Sequence, residues 1–516
     1  MVKIFIDDQA LEVEEGRTLL RAAGDSGIHI PHFCYHPAFA PEGSCRMCLV
    51  EIEGLPKLEL ACSTIVKEGM RVTTQSPEVA EARKGVLEFL LAEHPLDCPI
   101  CDKSGECRLQ DYFEQYGLFE SQFKESKEKR EKKYWLSKKL ILDRERCILC
   151  TRCIRFLNEI TKTEDAGTLH RGIHSEVGIY ESEYIDNNYA GSLTEICPVG
   201  ANTDADFRFK MRVWLLDKGE SICPHCSRGC NILIDFQRGF PRFPSSRRVY
   251  RFRARENPDV NQHWICDFGR YQYALIDQGR QDRIVWRNPG RETGLTWDKT
   301  LQMLTEKAKA LILQKKISRL AVVLNSGLTN EELFLADRLF RRELHLENVF
   351  VADPAPAKGD GFLLTEERTP NRRGLKEVGL PAVPPDLGVL AQKADLLLIF
   401  GTSLAGLFSP GDLKAALAEV ETKVLFTAHQ SGLNDLADII VPTPVVAEKS
   451  GTLTNVDGRI QAFSAALDFC GDGVAEWHAL LDLAKELKVN HPYFLPLTSP
   501  EAVAEAMAKE IPFFKK

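Results

Sequence analysis

The stretch "RCILCTRCIRF", Arg146–Phe156, places Cys147, Cys150 and Cys153 at three-residue steps, and Cys197 follows far downstream in "EICPVGA", Glu195–Ala201. Three thiolates on one tightening loop each reach a different corner of an iron-sulfur cube, and a remote Cys-Pro supplies the fourth ligand. A tetrahedral zinc is more commonly held by two Cys-x-x-Cys pairs, or by one pair and distant histidines, so the triplet favours a 4Fe-4S cluster over zinc. Bacterial two-cluster ferredoxins repeat this triplet. Here only one complete copy exists, so Arg144–Phe156 with Ser192–Ala201 is half of that design.

Other cysteines lie on either side. Downstream, "ICPHCSRGCNILIDF", Ile222–Phe236, gives Cys223-x2-Cys226-x3-Cys230, closed by Cys266 in "WICDFGR", Trp264–Arg270. This triplet is one residue wider and still crowded for zinc, so a second 4Fe-4S cluster is favoured. Between Cys230 and Cys266 runs a basic stretch, Arg238–Asn261, with a turn signal at Asn257-Pro258. Upstream, "FCYHPAFAPEGSCRMCLVEIEG" and "ELACST" give Cys34-x10-Cys45-x2-Cys48-x13-Cys62. The plant ferredoxin order has a narrower first gap but the same logic, and a 2Fe-2S cluster is the natural occupant. Around it "VKIFI" and "LEV" read as a hairpin, "RTLLRAA" as a short helix and "CLVEIEG" as a strand, a small β-grasp-like frame.

Twelve of the sixteen cysteines are then used, and Cys470 stands alone in a C-terminal half otherwise free of cysteine. Cys98, Cys101 and Cys107 remain, in "HPLDCPICDKSGEC", His94–Cys107. In isolation such a motif is equally a zinc clasp or a redox pair. Three thiolates need a fourth ligand, and His94 supplies one. A neutral imidazole in place of a thiolate removes negative charge and makes a centre easier to reduce, as in Rieske clusters.

Composition narrows the function classes. At 516 residues the chain exceeds one core, and about three to five compact units are expected. Fractions of 44% hydrophobic and 27% charged residues are those of a folded globular protein. No apolar run approaches a membrane span, and "MVKIFIDDQALEV" alternates like a strand rather than a signal peptide, so a cytoplasmic location is expected. A long chain without a signal is not a secreted disulfide scaffold. The net charge of -8 sets up no field for nucleic acid. The charge run Lys124–Lys139 reads as a solvated linker, with partner docking as the alternative. Neither a G-x-G-x-x-G after a strand nor a Walker loop is present, so nicotinamide chemistry belongs to another subunit.

The four motifs in this order resemble the G-subunit family of bacterial NADH:quinone oxidoreductase, complex I. The first three are shared with iron-only hydrogenases and with subunits of NAD-linked hydrogenases and formate dehydrogenases. The resemblance implies that Cys34, Cys45, Cys48 and Cys62 bind one 2Fe-2S cluster, and that His94, Cys98, Cys101 and Cys107 bind a 4Fe-4S cluster. It assigns a second 4Fe-4S cluster to Cys147, Cys150, Cys153 and Cys197, and a third, off the main electron path, to Cys223, Cys226, Cys230 and Cys266. From Trp264 onward the chain resembles a reduced molybdopterin-oxidoreductase domain. "SRLAVVLNSGLTNEELFLADRLF" reads as strand, loop and helix, with Thr329 and Glu332 at capping-box spacing. "ADLLLIFGTS" and "KVLFTA" read as strands flanking the helical "PGDLKAALAEVE", hence α/β layers on a parallel sheet. Asp457-Gly458 marks a hairpin in "AEKSGTLTNVDGRIQAF". Molybdenum enzymes of this type bind the metal through cysteine, selenocysteine or serine and place a lysine two residues beyond the fourth cluster cysteine. Here residues 267–469 contain no cysteine and that position is Phe268. Ser326 is the serine a molybdenum reading would use. The half therefore reads as scaffold, with no molybdopterin.

The expected fold class is α+β and α/β multidomain. Its parts are a 2Fe-2S ferredoxin-like domain over 1–78, a domain with one histidine and three cysteine ligands over 79–120, a 4Fe-4S ferredoxin-like domain over 138–216, a further 4Fe-4S domain over 217–272 and a degenerate α/β domain over 273–516. The expected function is to relay electrons from an NADH- and FMN-binding flavoprotein subunit, beside further iron-sulfur subunits, in a complex I-type NADH dehydrogenase. The chain would have no catalytic residue, substrate site or membrane span of its own, and would sit in the cytoplasm or peripherally on the cytoplasmic face of the membrane. The alternatives are the same wire in a soluble NAD-linked hydrogenase, formate dehydrogenase or electron-bifurcating complex, a molybdenum enzyme, or a zinc-stapled interaction protein.

Overall fold

Asp7 and Asp8 both take positive φ, 45° and 67°, the left-handed pair that a two-residue hairpin turn needs. They join β1 (Val2–Ile6) to β2 (Gln9–Val13), the hairpin expected from the sequence. A computed structural model describes residues 1–117, 120–180, 183–238, 248–288 and 291–515 of the chain. Residues 239–247 of the basic stretch before Cys266 lie outside the described residues. The chain divides between Leu216 and Asp217 into two compact units.

In the first unit α1 (Leu19–Asp25) buries Leu19, Leu20, Ala22 and Ala23. They join one core with a five-stranded sheet of order β2-β1-β5-β3-β4, which adds β3 (Leu49–Ile52), β4 (Glu59–Leu60) and β5 (Arg71–Thr73). β1 and β5 run parallel, and the other neighbours antiparallel. Ile4, Ile6, Val50, Ile52 and Val72 are the inward residues of these strands, the alternation that lets one sheet face carry the core. This is the β-grasp-like frame expected around the first cysteine group.

Prolines then punctuate the chain. Ser76 caps α2 (Pro77–Glu93) by accepting the Val79 N–H at 3.3 Å, and Pro77 sits at the first helical position. Pro95 disfavours helical backbone at the residue before it, so α2 stops and His94 turns out at ψ 130°. α3 (Arg108–Tyr116) follows. After β6 (Tyr134–Ser137) and β7 (Leu140–Leu142) comes the single turn α4 (Arg152–Arg155), then the hairpin β8 (Ala166–Leu169) and β9 (Glu176–Ile179). α5 (Ser192–Ile196) stops at Cys197, ψ 119°, again because a proline comes next. β10 (Asn202–Asp204) then pairs with β7, Asn202 opposite Leu142, which returns the Cys197 arm to the Cys147 loop.

The charge run differs from the solvated linker expected of it. Lys127 Nζ donates to the carbonyls of Leu91 and Ala92 at the end of α2, Arg130 to those of Ile173 and Ser175, and Lys132 pairs with Glu145 at 2.5 Å. The run is a strap: the end of α2 and the β8–β9 connection offer carbonyls, and Glu145 before the Cys147 loop a carboxylate, to its cations.

The second unit opens with an antiparallel sheet of β11 (Asp217–Ile222), β12 (Asn231–Phe236) and β13 (Val249–Ala254), followed by the short helix α6 (Asp267–Arg270). Its main sheet has seven strands: β14 (Val285–Asn288), β15 (Arg291–Gly294), β16 (Leu320–Leu324), β17 (Val349–Val351), β18 (Leu396–Phe400), β19 (Thr422–Thr427) and β20 (Ile439–Pro442), in the order β15-β14-β20-β19-β18-β16-β17. The strands from β20 to β17 run parallel. "LAVVL" and "LLLIF" are buried at every residue, as strands covered on both faces must be. Val322, Leu398 and Val424 enter one core, while Ala321, Leu397 and Leu425 enter the other. The expected α/β layering is present, as are the reciprocal capping box of Thr329 and Glu332 and the hairpin around Gly458 (φ +81°). No helix among the described residues is long and apolar enough to cross a membrane.

Candidate metal centres

In the first quartet Cys34, Cys45 and Cys48 lie on the loop between α1 and β3, and Cys62 follows β4. Cys34, Cys48 and Cys62 are buried and Cys45 half-buried. The sulfurs fall into two contacting pairs. Contact with Cys45 draws the Cys34 thiol down to about 5, while the same contact and burial push Cys45 up. Contact with Cys62 likewise pushes Cys48 up, and Cys62 is lowered. Gly43, at φ +70°, turns the loop in a place where a Cβ would lie 3.2 Å from Leu60 Cδ1.

In the second group His94 caps the end of α2, Cys98 is exposed, and Cys101 and Cys107 are buried, Cys107 at the start of α3. His94 Nδ1 is buried with no hydrogen-bond partner. Burial, followed by the charge of Arg146, lowers the imidazole to about 4, so the ring is neutral near pH 7 and able to ligate. Burial also raises Cys101, and raises Cys107 to about 11.

In the third quartet Cys197 is buried and Cys147, Cys150 and Cys153 are half-buried. Cys147, Cys150, Cys153 and Cys197 all line one small cavity, with Val177 and Val199 among its walls. Leu149 and Thr151 take φ of +49° and +56°, a left-handed conformation rare for such side chains and found mostly where function imposes it. Those two reversals coil the loop so that its three cysteines face one hollow. Burial first, then neighbouring thiols, push Cys147 to about 12 and Cys150 to about 11, and raise Cys153 well above its ordinary value.

The fourth quartet belongs to the second unit. Cys223 follows β11 and Cys230 precedes β12, and the two are joined by the Cys223 N–H to Cys230 C=O bond of 2.8 Å. Cys266 caps α6, its Sγ accepting the Gly269 N–H at 3.4 Å. A Cβ at Gly269 would lie 2.8 Å from the Cys223 sulfur and 3.7 Å from that of Cys266, so both thiols converge on this glycine. All four cysteines are buried, and burial raises Cys223, Cys230 and, to about 11, Cys266.

Among the described residues no group of three or more His, Cys, Asp or Glu is arranged to hold a single metal ion. Buried thiols held far above their usual range need a strongly positive core before they ionise. The orphaned Nδ1 of His94 and the cavity shared by Cys147, Cys150, Cys153 and Cys197 are the features an inorganic core would satisfy.

Sequence reasoning missed the side chains that bind these groups to one another. Arg146, 3% exposed, grips Asp97 of the second group with Nε and NH2 at 3.1 and 2.7 Å, and it immediately precedes Cys147. A Cβ at Gly200, three residues after Cys197, would lie 2.3 Å from the Cys101 sulfur. Arg108, next to Cys107, donates its N–H to Pro198 C=O at 3.0 Å, and its guanidinium meets His32 Nε2 at 2.9 Å. The arginines interleaved with the cysteines in "RCILCTRCIRF" were visible, but no spacing rule names their partners.

In the second unit a cavity of ≈390 Å³ lies at the C-terminal ends of the parallel strands and borders Pro224 and His225. Ser326 is turned away from it. Its hydroxyl donates to Asp353, whose carboxylate also accepts the Ser326 N–H at 2.8 Å.

Three family models match the first unit. They are described as a 2Fe-2S iron-sulfur cluster binding domain (1–77), the NADH-ubiquinone oxidoreductase-G iron-sulfur binding region (83–122) and the ferredoxin-like domain of NADH-quinone oxidoreductase subunit 3 (138–203). The chain is thereby an iron-sulfur protein. Its curated relatives include the NADH-quinone oxidoreductase G subunit of Rickettsia bellii, 41% identical over 63% of this chain and 46% of that one. A second such G subunit, that of Rhizobium meliloti, is 38% identical over 68% and 40%, and the NADH-ubiquinone oxidoreductase 75 kDa subunit of Reclinomonas americana is 33% identical over 78% and 56%. The chain is a relative of the NADH-quinone oxidoreductase G subunits, as the order of its motifs implied, and it spans about half the length of the curated relatives it matches. Among solved structures, an NAD+-reducing NiFe hydrogenase in the H2-reduced state is 31% identical over 41% of this chain and 91% of that one, with a TM-score of 0.38.

Proposed function

We propose that this chain is an electron-transfer subunit of a complex I-type NADH dehydrogenase, and that its sixteen donors hold one 2Fe-2S and three 4Fe-4S clusters. The donors would be Cys34, Cys45, Cys48 and Cys62 for the binuclear centre; His94, Cys98, Cys101 and Cys107; Cys147, Cys150, Cys153 and Cys197; and Cys223, Cys226, Cys230 and Cys266. The observation that carries this reading is the direct linkage of the first three sets by Arg108, Arg146 and Gly200 within one unit. When bound, the clusters supply one-electron relay between docked proteins. The chain's own residues ligate, exclude water and fix separations. Rigid spacing matters to a relay because tunnelling falls steeply with distance.

The electrons would come from a flavoprotein subunit that binds NADH and FMN, and would pass to further iron-sulfur subunits. The chain would sit on the cytoplasmic side, held at the membrane by its partners. Anaerobic iron and sulfide counting with electron paramagnetic resonance tests the reading. It expects about fourteen irons, from one binuclear and three cubane centres. A colourless preparation with stoichiometric zinc and no iron overturns it.

A further inference from the structure

Two arginines of the Cys147 loop remain unexplained by ligation. Arg152 and Arg155 are buried, 4% and 7% exposed, and each reaches two ligand sets. Arg152 donates through NH2 to the carbonyl of Tyr35, which follows Cys34, and through NH1 at 3.1 Å to that of Ile196, which precedes Cys197. Arg155 donates through NH2 to the carbonyl of Cys34 itself and, at 3.3 Å, to that of Cys150; its NH1 reaches Ala40 C=O at 2.9 Å. One guanidinium thus touches the backbone of a first-quartet cysteine and of a third-quartet cysteine. A planar fork of fixed donors suits the task, since little freedom is lost per bond formed.

Their charge is poorly matched by the protein. Among the described residues no carboxylate pairs with Arg152, and its Nε has no hydrogen-bond partner. Arg155 has Glu42 at 3.8 Å, a side chain 39% exposed. Neutral carbonyls do not cancel a buried cation, and leaving one without an anion is costly. Four thiolates around an iron-sulfur core make a net negative complex. Reduction adds one electron, hence one more negative charge, with no bond made or broken. Cations between two such centres stabilise the reduced form of both.

We propose that Arg152 and Arg155 are positioning residues that fix the first and third centres relative to each other and raise the reduction potential of both. This rests on the relay reading above. The test is a redox titration followed by electron paramagnetic resonance on the full chain, purified anaerobically with its clusters, as the unchanged protein, Arg155→Gln and Arg155→Lys. Arg155→Gln removes the charge and should lower both potentials together. At a fixed potential the reduced-to-oxidised ratio should fall about tenfold in each centre, ~59 mV for a one-electron couple. Arg155→Lys keeps the charge and should retain both potentials, but a single ammonium cannot span the two backbones, so the magnetic interaction between the two reduced centres should change. Unchanged potentials in Arg155→Gln at full iron content, or a shift in one centre alone, overturns the proposal. If Arg155→Gln does not accumulate, Arg155→Lys decides: an unaltered magnetic interaction overturns it. If the unchanged protein lacks binuclear and cubane signals, the relay reading itself has failed before any variant is compared.

Discussion

His94 shows how much a single side chain settles. Its sequence position, just before a proline, ends α2 and turns the imidazole out of the helix, while burial keeps the ring neutral. A neutral ligand leaves its centre less negative than four thiolates would. His94→Cys should therefore lower that centre's potential, with the reduced fraction at a fixed potential falling about tenfold, ~59 mV, in an electron paramagnetic resonance titration; an unchanged potential would remove His94 from the ligand set. The candidate donors could be named from the sequence because most of each set lies on one short loop, while Cys62, Cys197 and Cys266 were assigned from the resemblance and remain part of the proposal above. Gly200 and Gly269 could not be named. Their role is to leave room for the sulfurs of Cys101 and Cys223, and nothing near them in sequence announces a neighbour brought in by the fold.

At the scale of elements, strands and helices were readable where hydrophobic period or capping chemistry was strong. "LAVVL", "LLLIF" and the capping box at Thr329 are examples. The Lys124–Lys139 run misled because charge alone does not distinguish a solvated segment from one whose cations meet the carbonyls of neighbouring elements; Lys127 and Arg130 do the latter. Arg146 extends the same bracing inward. It faces Asp97 at 2.7 Å and Asp143 at 3.3 Å, and both Arg146 and Asp143 are almost wholly buried. Arg146→Met removes the cation nearest Asp143 and leaves it Lys132 at 4.0 Å. It should cost about 3 kcal/mol, the lower end for breaking a buried pair because Asp97 keeps some solvent. The check is thermal unfolding of the cluster-loaded chain, where a melting point within error of the unchanged protein would show that the pair carries no such weight.

For the whole molecule, the division at Leu216 and Asp217 separates three donor sets from the fourth. The parallel core of the second unit was legible from its continuous apolar strands. Its antiparallel edge, β14 and β15, and the β11–β13 sheet were not, since their registers depend on partners distant in sequence. Nor was the buried triad in which Lys449 Nζ meets Glu332 at 2.9 Å and Glu476 at 3.5 Å. That contact ties the helix beginning at Asn330 to the helix Glu476–Leu487. Lys449→Met would leave the Glu332 and Glu476 carboxylates without their cation, at a cost of about 3 kcal/mol, the lower end for breaking a buried pair because Glu476 borders the ≈390 Å³ cavity. Calorimetry should show the transition of this unit moving down in temperature, and an unmoved transition would mean that the carboxylates find other relief.

The left-handed turns at Leu149 and Thr151 bear on how such a chain is made. Each residue holds a conformation costing about 1–3 kcal/mol on its own, so a nascent strand emerging from the ribosome seldom adopts it. The hollow takes shape only after Asp204 has been synthesised and β10 can pair with β7. The four thiols that line it can therefore come together only after the distant arm carrying Cys197 has been made.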